Sequence, residues 1–189
     1  MHPALWISKT GLDAAQTDVA VVSNNLANAS TVGFKKDRAI FEDLLYQNIN
    51  QPGGRSSADT ELPSGLMLGS GSKVVSTQKA HTQGNLLTTD NALDMSIQGR
   101  GYFEILQPAY SRNGQFSMND QGQRVTSGAG FLLQPEVAIP EDAQQITISQ
   151  DGEISVSIRG QAEPQVLGQM NLSDFINPTG LQPIGQNLY

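Results

Sequence analysis

The sequence predicts a mixed α and β chain: a long N-terminal coiled-coil-type α-helix, an extended linker, and a mainly β domain after it. Three observations carry this prediction. A seven-residue apolar repeat runs through residues 3–31. Pro, Gly and Ser then dominate residues 51–72, as in "QPGGRSSADTELPSGLMLGSGS". From Lys73 onward, short alternating runs are bounded by Gly, Asn, Asp or Pro, which are strand and turn signals. The boundaries this reading draws are 1–34, 35–72 and 73–189.

In the first segment, Leu5, Leu12, Val19 and Leu26 recur every seven residues, and Ser8, Ala15, Val22 and Ala29 follow each by three. Large residues hold one column of an a/d seam and mostly small ones the other, so a neighbouring helix can approach closely. A helix over residues 3–31 would be roughly 40 Å long. Pro3 suits its first turn. Gly33 suits the left-handed position past its end, with Phe34 behind it as the apolar contact of the stop.

An ordinary amphipathic core helix shows the same repeat. This one differs in its sparse charged face, where Lys9, Asp13 and Asp18 stand among Ala, Thr, Gln, Asn and Ser. No second long heptad helix follows within the 189 residues. The stripe therefore points to a partner in another chain or in a further segment. Asn24, Asn25 and Asn28 fall off the seam. Their amides either hydrogen-bond laterally to neighbouring subunits or fray and cap the helix end, since Asn competes with the helical backbone.

The next run, "DRAIFEDLLYQNINQ", has Ile40, Phe41, Leu44, Leu45 and Ile49 at spacings that fit a short helix or an extended segment. In this linker or long loop, Pro52, Gly53, Pro63 and Gly65 are the residues expected to set the extended path. "GSGS" lacks the Lys-Ser/Thr and the following helix of a phosphate cradle.

The strand candidates are "KVVSTQ", "NLLTTD", "LDMSIQ", "GYFEILQ", "QFSMN", "RVTS", "FLLQPEVAI", "QQITISQ" and "EISVSIR". One hairpin is fixed by parity. A two-residue Asp151-Gly152 turn would place Ile148 opposite Ser155 and split the apolar face. A three-residue loop, Gln150-Asp151-Gly152, pairs Ile148 with Ile154 and Ile146 with Val156, and puts Gly152 in the left-handed position. Gly99-x-Gly101 lies between two strand runs and lacks the helix and third glycine of a dinucleotide site, so it reads as a tight corner or bulge.

Composition excludes several functions. The formal net charge is −7, and the richest basic stretch is only Lys35-Lys36-Asp37-Arg38, so nucleic acid is not an expected partner. With no cysteine there is no disulfide, thiolate metal site or cysteine nucleophile. His2 and His81 are the two histidines, and His81 reads as a surface or turn residue with no neighbouring metal ligand. Asp90 with Asp94, and Asp151 with Glu153, flank turns. No catalytic, cofactor or metal constellation is assigned, and the chain is not read as an enzyme. Lys9, Asp13 and Asp18 sit where the apolar core of a secretory signal would be, so this end does not read as one, and a chain leaving the cytoplasm would use a route that does not cleave it. No apolar run approaches the ~20 residues of a membrane span.

"LWISKTGLDAAQTDVAVVSNNLANASTVGFKK" resembles the rod-and-hook protein family of the bacterial flagellum. The family signature is Asn-Asn-Leu-Ala-Asn, a small polar pair, then Gly-Phe-Lys: here Asn24 to Asn28, Ser30-Thr31 and Gly33-Phe34-Lys35. "RAIFEDLLYQNINQPGGRSSADTELPSGLMLGSGSKVVST" resembles the stretch peculiar to distal rod members. "HTQGNLLTTDNALDMSIQGRGYFEI", "YSRNGQF" and "PTGLQPIGQNLY" continue the likeness across the chain. Members usually carry more turn residues where this chain has "EILQPAYSRNG", and a further C-terminal heptad helix that pairs with the first.

The resemblance implies a structural subunit exported unfolded by the flagellar type III apparatus. It would polymerise as a hollow distal rod across the periplasm and transmit torque to the hook. The implied partners are further copies of itself, proximal rod proteins, hook protein, and the P-ring and L-ring proteins. In that setting Leu5, Leu12, Val19, Val22 and Leu26 form the assembly seam of an inner helical wall, and the stretch with Pro52, Gly53, Pro63 and Gly65 bridges neighbouring subunits. A proximal rod or hook protein is the alternative within the family. A secreted β-rich binding module with an oligomerising helix is the alternative from another class.

Overall fold

A computed structural model describes residues 2–53, 55–57, 60–61, 63–106, 109–160 and 163–189. Part of the expected linker (Gly54, Ala58, Asp59 and Leu62) and the short connection at Gln107 and Pro108 lie outside the described residues. The elements in order are α1 (Pro3–Ala27), β1 (Asp37–Asp43), β2 (Tyr46–Asn50), β3 (Arg55–Ser57), β4 (Thr60–Glu61), β5 (Leu66–Gly69), β6 (Ser72–Lys79), β7 (Tyr102–Ile105), β8 (Ala109–Ser111), β9 (Phe116–Met118), β10 (Arg124–Thr126), β11 (Ala143–Ile148), β12 (Glu153–Ile158), β13 (Gln165–Gln169), β14 (Leu172–Ser173) and a 3-10 turn at Pro178–Gly180. One long helix followed by many short strands is the fold class expected from the sequence.

The chain divides into two compact units. One comprises Met1–Ala29 and Lys36–Ala80, the other Ser30–Lys35 and His81–Tyr189. These boundaries differ from 1–34, 35–72 and 73–189. β6 joins the helical unit because it pairs with β1 along its whole length, from Asp37↔Lys79 to Asp43↔Ser72, with a bulge at Ile40/Phe41. The ambiguous "DRAIFEDLLYQNINQ" is extended, forming β1 and β2. Residues 30–35 belong to the β unit. There Lys35 Nζ donates to the Thr82 carbonyl at 2.7 Å, and the Asn187 amide donates to the Val32 carbonyl at 3.1 Å.

The helix stops at Ala27, short of Thr31. Asn28 is its cap: the side-chain amide reaches the Asn24 carbonyl at 3.0 Å and the Asn24 side-chain oxygen at 3.1 Å. Local amide bonding thus ends the helix before the glycine is reached. Gly33 has φ +77°, but it serves another purpose. A Cβ there would lie 2.8 Å from Asn113 N and Cα, so its smallness permits close backbone approach.

The core of the β unit gathers Leu93, Ile97, Phe103, Phe116, Leu133, Val137, Ile139, Ile154, Val156 and Met170. Phe103 and Phe116 meet edge-to-face, with centroids 5.1 Å apart. The antiparallel β11–β12 hairpin pairs Ile148 with Ile154 and Ile146 with Val156, and Gly152 has φ +77°. This is the three-residue loop predicted by parity. β12 is central in its sheet, between β11 and β13, which explains why Ile154 and Val156 are fully buried.

"NLLTTD" and "LDMSIQ" form no strands, and "FLLQPEVAI" makes only isolated bridges through Leu132, Leu133 and Ala138. Leu93 and Ile97 are buried nonetheless, so the apolar signal there reports core contact without ladder pairing. In "FLLQPEVAI", Pro135 has no N–H to give a ladder.

A candidate assembly surface

The helical unit is organised by two opposite faces of α1. One face carries Thr10, Ala14, Thr17, Val21, Asn25 and Asn28. It is the better covered side of the helix, with Ala14 buried. The β1–β6 ribbon lies along this unit's helix and is lashed to it at both ends. At one end, Asn25 Nδ2 donates to the Asp37 carbonyl at 2.7 Å, and the Asp37 N–H donates to Asn25 Oδ1 at 2.9 Å. At the other, the Ser72 N–H donates to Thr10 Oγ1 at 3.3 Å. Fifteen helical steps from Thr10 to Asn25 cover roughly 22 Å, and six strand steps from Asp37 to Asp43 cover roughly 20 Å. The two spans match, so one ribbon satisfies both ties.

Asp37 is further held by Lys79, whose Nζ lies 2.8 Å from Oδ2 in a largely buried pair. Arg38 donates through Nε and Nη2 to Gln78 Oε1. Across the same ribbon, Lys73 and Glu42 form an exposed pair at 3.3 Å.

The second face is the leucine and valine seam. Leu5, Leu12, Val19, Val22 and Leu26 are all between 57% and 75% exposed. At 3.6 residues per turn this stripe lies roughly 160° round the helix from the ribbon-facing stripe. The chain therefore covers its small and polar helix face with its own ribbon and leaves its most apolar face open. An open apolar stripe of that length on a helix is a candidate association surface.

A second open apolar surface lies on the β2–β5 ribbon. Tyr46 pairs with Gly69, Gln47 with Leu68 and Asn48 with Met67, with a bulge before Asn50↔Leu66. Every residue of β2 is exposed, as are Leu66, Met67 and Leu68, and Leu45 beside them is 89% exposed. Pro52 and Gly53 form the turn after β2, Gly53 with φ +78°, and Pro63 and Gly65 precede β5. A Cβ at Gly65 would press on Pro52, so those two residues pack within the ribbon.

Of the predicted site residues, the structure sets Leu5, Leu12, Val19, Val22 and Leu26 on one face. Asn24, Asn25 and Asn28 sit elsewhere, and each makes hydrogen bonds within the chain. Gly33 and Phe34 lie past the helix in the β unit, where the Phe34 N–H closes a turn on the Thr31 carbonyl at 3.2 Å. The sequence reading missed the ribbon-facing stripe. Its signal was there: small or β-branched residues at 10, 14, 17 and 21 repeat at helical spacing opposite the leucines.

The β unit has its own organising residue, also missed. Arg112 donates to the carbonyls of Ile97 (3.2 Å), Gly99 and Gly101 and to Gln83 Oε1 (3.0 Å), and its guanidinium sits 5.8 Å from the Tyr102 ring centroid. It thereby closes the Gly99-x-Gly101 corner. Burial lowers its pKa from the usual arginine value. Burial, and secondarily Arg112, also lowers that of Lys35. Tyr102 is buried against His81, Tyr189 and Phe175, with its hydroxyl 2.7 Å from His81 Nδ1. His81 is thus part of an aromatic cluster and not the surface or turn residue the sequence implied. Burial is also the main cause that raises the Tyr102 pKa. Among the described residues, no group of His, Cys, Asp and Glu is arranged to hold a metal ion.

Comparison with known proteins gives these surfaces a context. A family model described as "Flagella basal body rod protein" matches residues 6–35, and one described as "Flagellar hook protein FlgE/F/G D1 domain" matches residues 96–156. The chain is 52% identical over 193 residues to the flagellar basal-body rod protein FlgG of Buchnera aphidicola subsp. Acyrthosiphon pisum, covering all of this chain and 74% of that protein. It is 48% identical over 191 residues to the Caulobacter vibrioides protein of the same name, covering 98% of this chain and 72% of the other. The flagellar hook protein FlgE of Borreliella burgdorferi is 31% identical over 152 residues, covering 77% of this chain and 34% of that protein. The rod relatives thus align over more of both chains and at higher identity than the hook protein, and this chain belongs to the flagellar basal-body rod protein family.

Proposed function

We propose that this chain is a structural subunit that polymerises into the flagellar distal rod, a rigid hollow shaft carrying torque across the periplasm to the hook. The observation that carries this reading is the two-faced helix. Its own ribbon occupies the polar stripe, and the Leu5–Leu12–Val19–Val22–Leu26 stripe is left for helices of other subunits in coiled-coil packing. The β unit forms the outer layer. Residues 51–72 and the exposed leucines of the β2–β5 ribbon bridge neighbouring subunits and stiffen the shaft. Asn24 and Asn28 line the helix end, where further lateral bonds complement their internal ones. Proximal rod proteins, hook protein, the P-ring and L-ring proteins and the type III export apparatus are the partners of this role.

Leu12→Asp tests the proposal. A carboxylate in the middle of a desolvated helix seam is disfavoured by several kcal/mol or forces protonation. The variant folds, because Leu12 touches little of its own chain, but forms no rods, and cells carrying it lack complete basal bodies and do not swim. Motile cells with normal rods would overturn the reading.

A further inference from the structure

The core of the β unit contains a buried cation that no carboxylate meets among the described residues. Arg124, on β10, is only 2% exposed, and its Nε and Nη2 have no hydrogen-bond partner among the described residues. Its Nη1 lies 3.2 Å from the sulfur of Met170, just after β13. A thioether is a weak acceptor, so a strong, charged donor is left facing a poor partner. Burial depresses the Arg124 pKa accordingly. Met170 is itself 9% exposed and lines a cleft of about 730 Å³, shared with Met95, Ile97, Phe103, Ile148 and Gly152.

We propose that Met170 is a methionine oxidation site whose sulfoxide is received by Arg124. The reaction needs only a peroxide small enough to enter the cleft. The Met170 sulfur attacks one peroxide oxygen, the O–O bond breaks and an S–O bond forms. Sulfur is oxidised by two electrons, and hydrogen peroxide is reduced to water. A sulfoxide in an ordinary core is disruptive because it introduces a strong acceptor with no donor nearby. Here the donors are already buried and under-used. A small rotation of the Met170 side chain brings the sulfoxide oxygen to Nη1, Nη2 or Nε and replaces a weak contact with a charge-assisted hydrogen bond. Oxidation at this position therefore completes the Arg124 environment. Met67, half exposed on the β2–β5 ribbon, acts as the internal reference; Met118 is also half exposed but pairs directly across from Arg124.

The test oxidises the folded protein with hydrogen peroxide, maps each methionine by peptide mass spectrometry, and follows thermal unfolding before and after. The expected result is a gain of one oxygen at Met170, with an unfolding midpoint that stays the same or rises. In Arg124→Leu, oxidation lowers the midpoint by about 4 °C or more, since the sulfoxide then has no donor. Met170→Leu removes the difference between the two backgrounds, which ties the effect to this residue and not to Met67, Met95 or Met118. The proposal is overturned if Met170 stays unmodified while Met67 is fully oxidised. It is equally overturned if wild type and Arg124→Leu lose the same stability on oxidation.

Discussion

The side-chain amide of Asn25 holds the backbone of Asp37 at both its polar groups, donating to its carbonyl at 2.7 Å and accepting from its N–H at 2.9 Å. An asparagine in the last turns of a helix thus acts as one more strand residue for the start of β1. The chain between them contains the Gly33 turn, so this tie fixes where the ribbon begins after the chain has left the helix. Neither Ala nor Ser offers a donor and an acceptor at that reach.

Asn25→Ala therefore leaves two peptide groups of a half-buried strand end without partners, a loss of about 2 kcal/mol. The helical circular dichroism signal is retained, since Ala is the better helix former. Amide hydrogen exchange at Asp37 and along β1 accelerates at least tenfold. Unchanged exchange at Asp37 would show that the Lys79 pair alone holds the ribbon in place.

Arg112→Lys breaks the corner at Gly99-x-Gly101. A lysine ammonium is a single point donor and cannot reach three carbonyls and Gln83 together. A loss of about 3 kcal/mol is expected for the β unit, read as a lower midpoint in urea unfolding with an unchanged slope.

Tyr102 makes stability pH-dependent on the alkaline side. Its phenol is buried, so its folded pKa lies above the unfolded value of about 10. Between those two values the folded state keeps a proton that the unfolded state has lost. The stabilisation is complete below pH about 10 and is lost as pH rises through the folded pKa. Thermal midpoints measured from pH 8 upward should fall more steeply in wild type than in Tyr102→Phe. Parallel curves would mean that Tyr102 does not ionise differently in the two states.

Deleting residues 53–68 removes β3, β4 and most of the exposed β5 strand, including Leu66, Met67 and Leu68. In the proposed rod, these leucines touch neighbouring subunits, so the shortened chain assembles into a more flexible polymer. Bending stiffness measured from electron micrographs of isolated rods reports this, and an unchanged persistence length would remove the stiffening role.

Local chemistry settled much of this protein in advance. The heptad stripe specified a long helix and its apolar face, because helical periodicity depends only on spacing along the chain. Side-chain parity specified the Ile148↔Ile154 register and the loop at Gln150-Asp151-Gly152, because a one-residue slip would turn one strand's isoleucines to the wrong face. Absent residue types excluded thiol chemistry outright.

Only the tertiary structure decided which helix face the chain would cover itself. Thr10, Ala14 and Asn25 become buried or bonded because β1 and β6, far apart in sequence, pair into a ribbon of the right length to reach both ends. The helix end moved for a similar reason of competition, with asparagine amides bonding the last turn before Gly33 could stop it. Likewise Arg112, His81 and Arg124 carry no periodic mark. Their roles depend on long-range packing that sets a guanidinium beside three carbonyls, an imidazole beside a phenol, and a charge beside a sulfur.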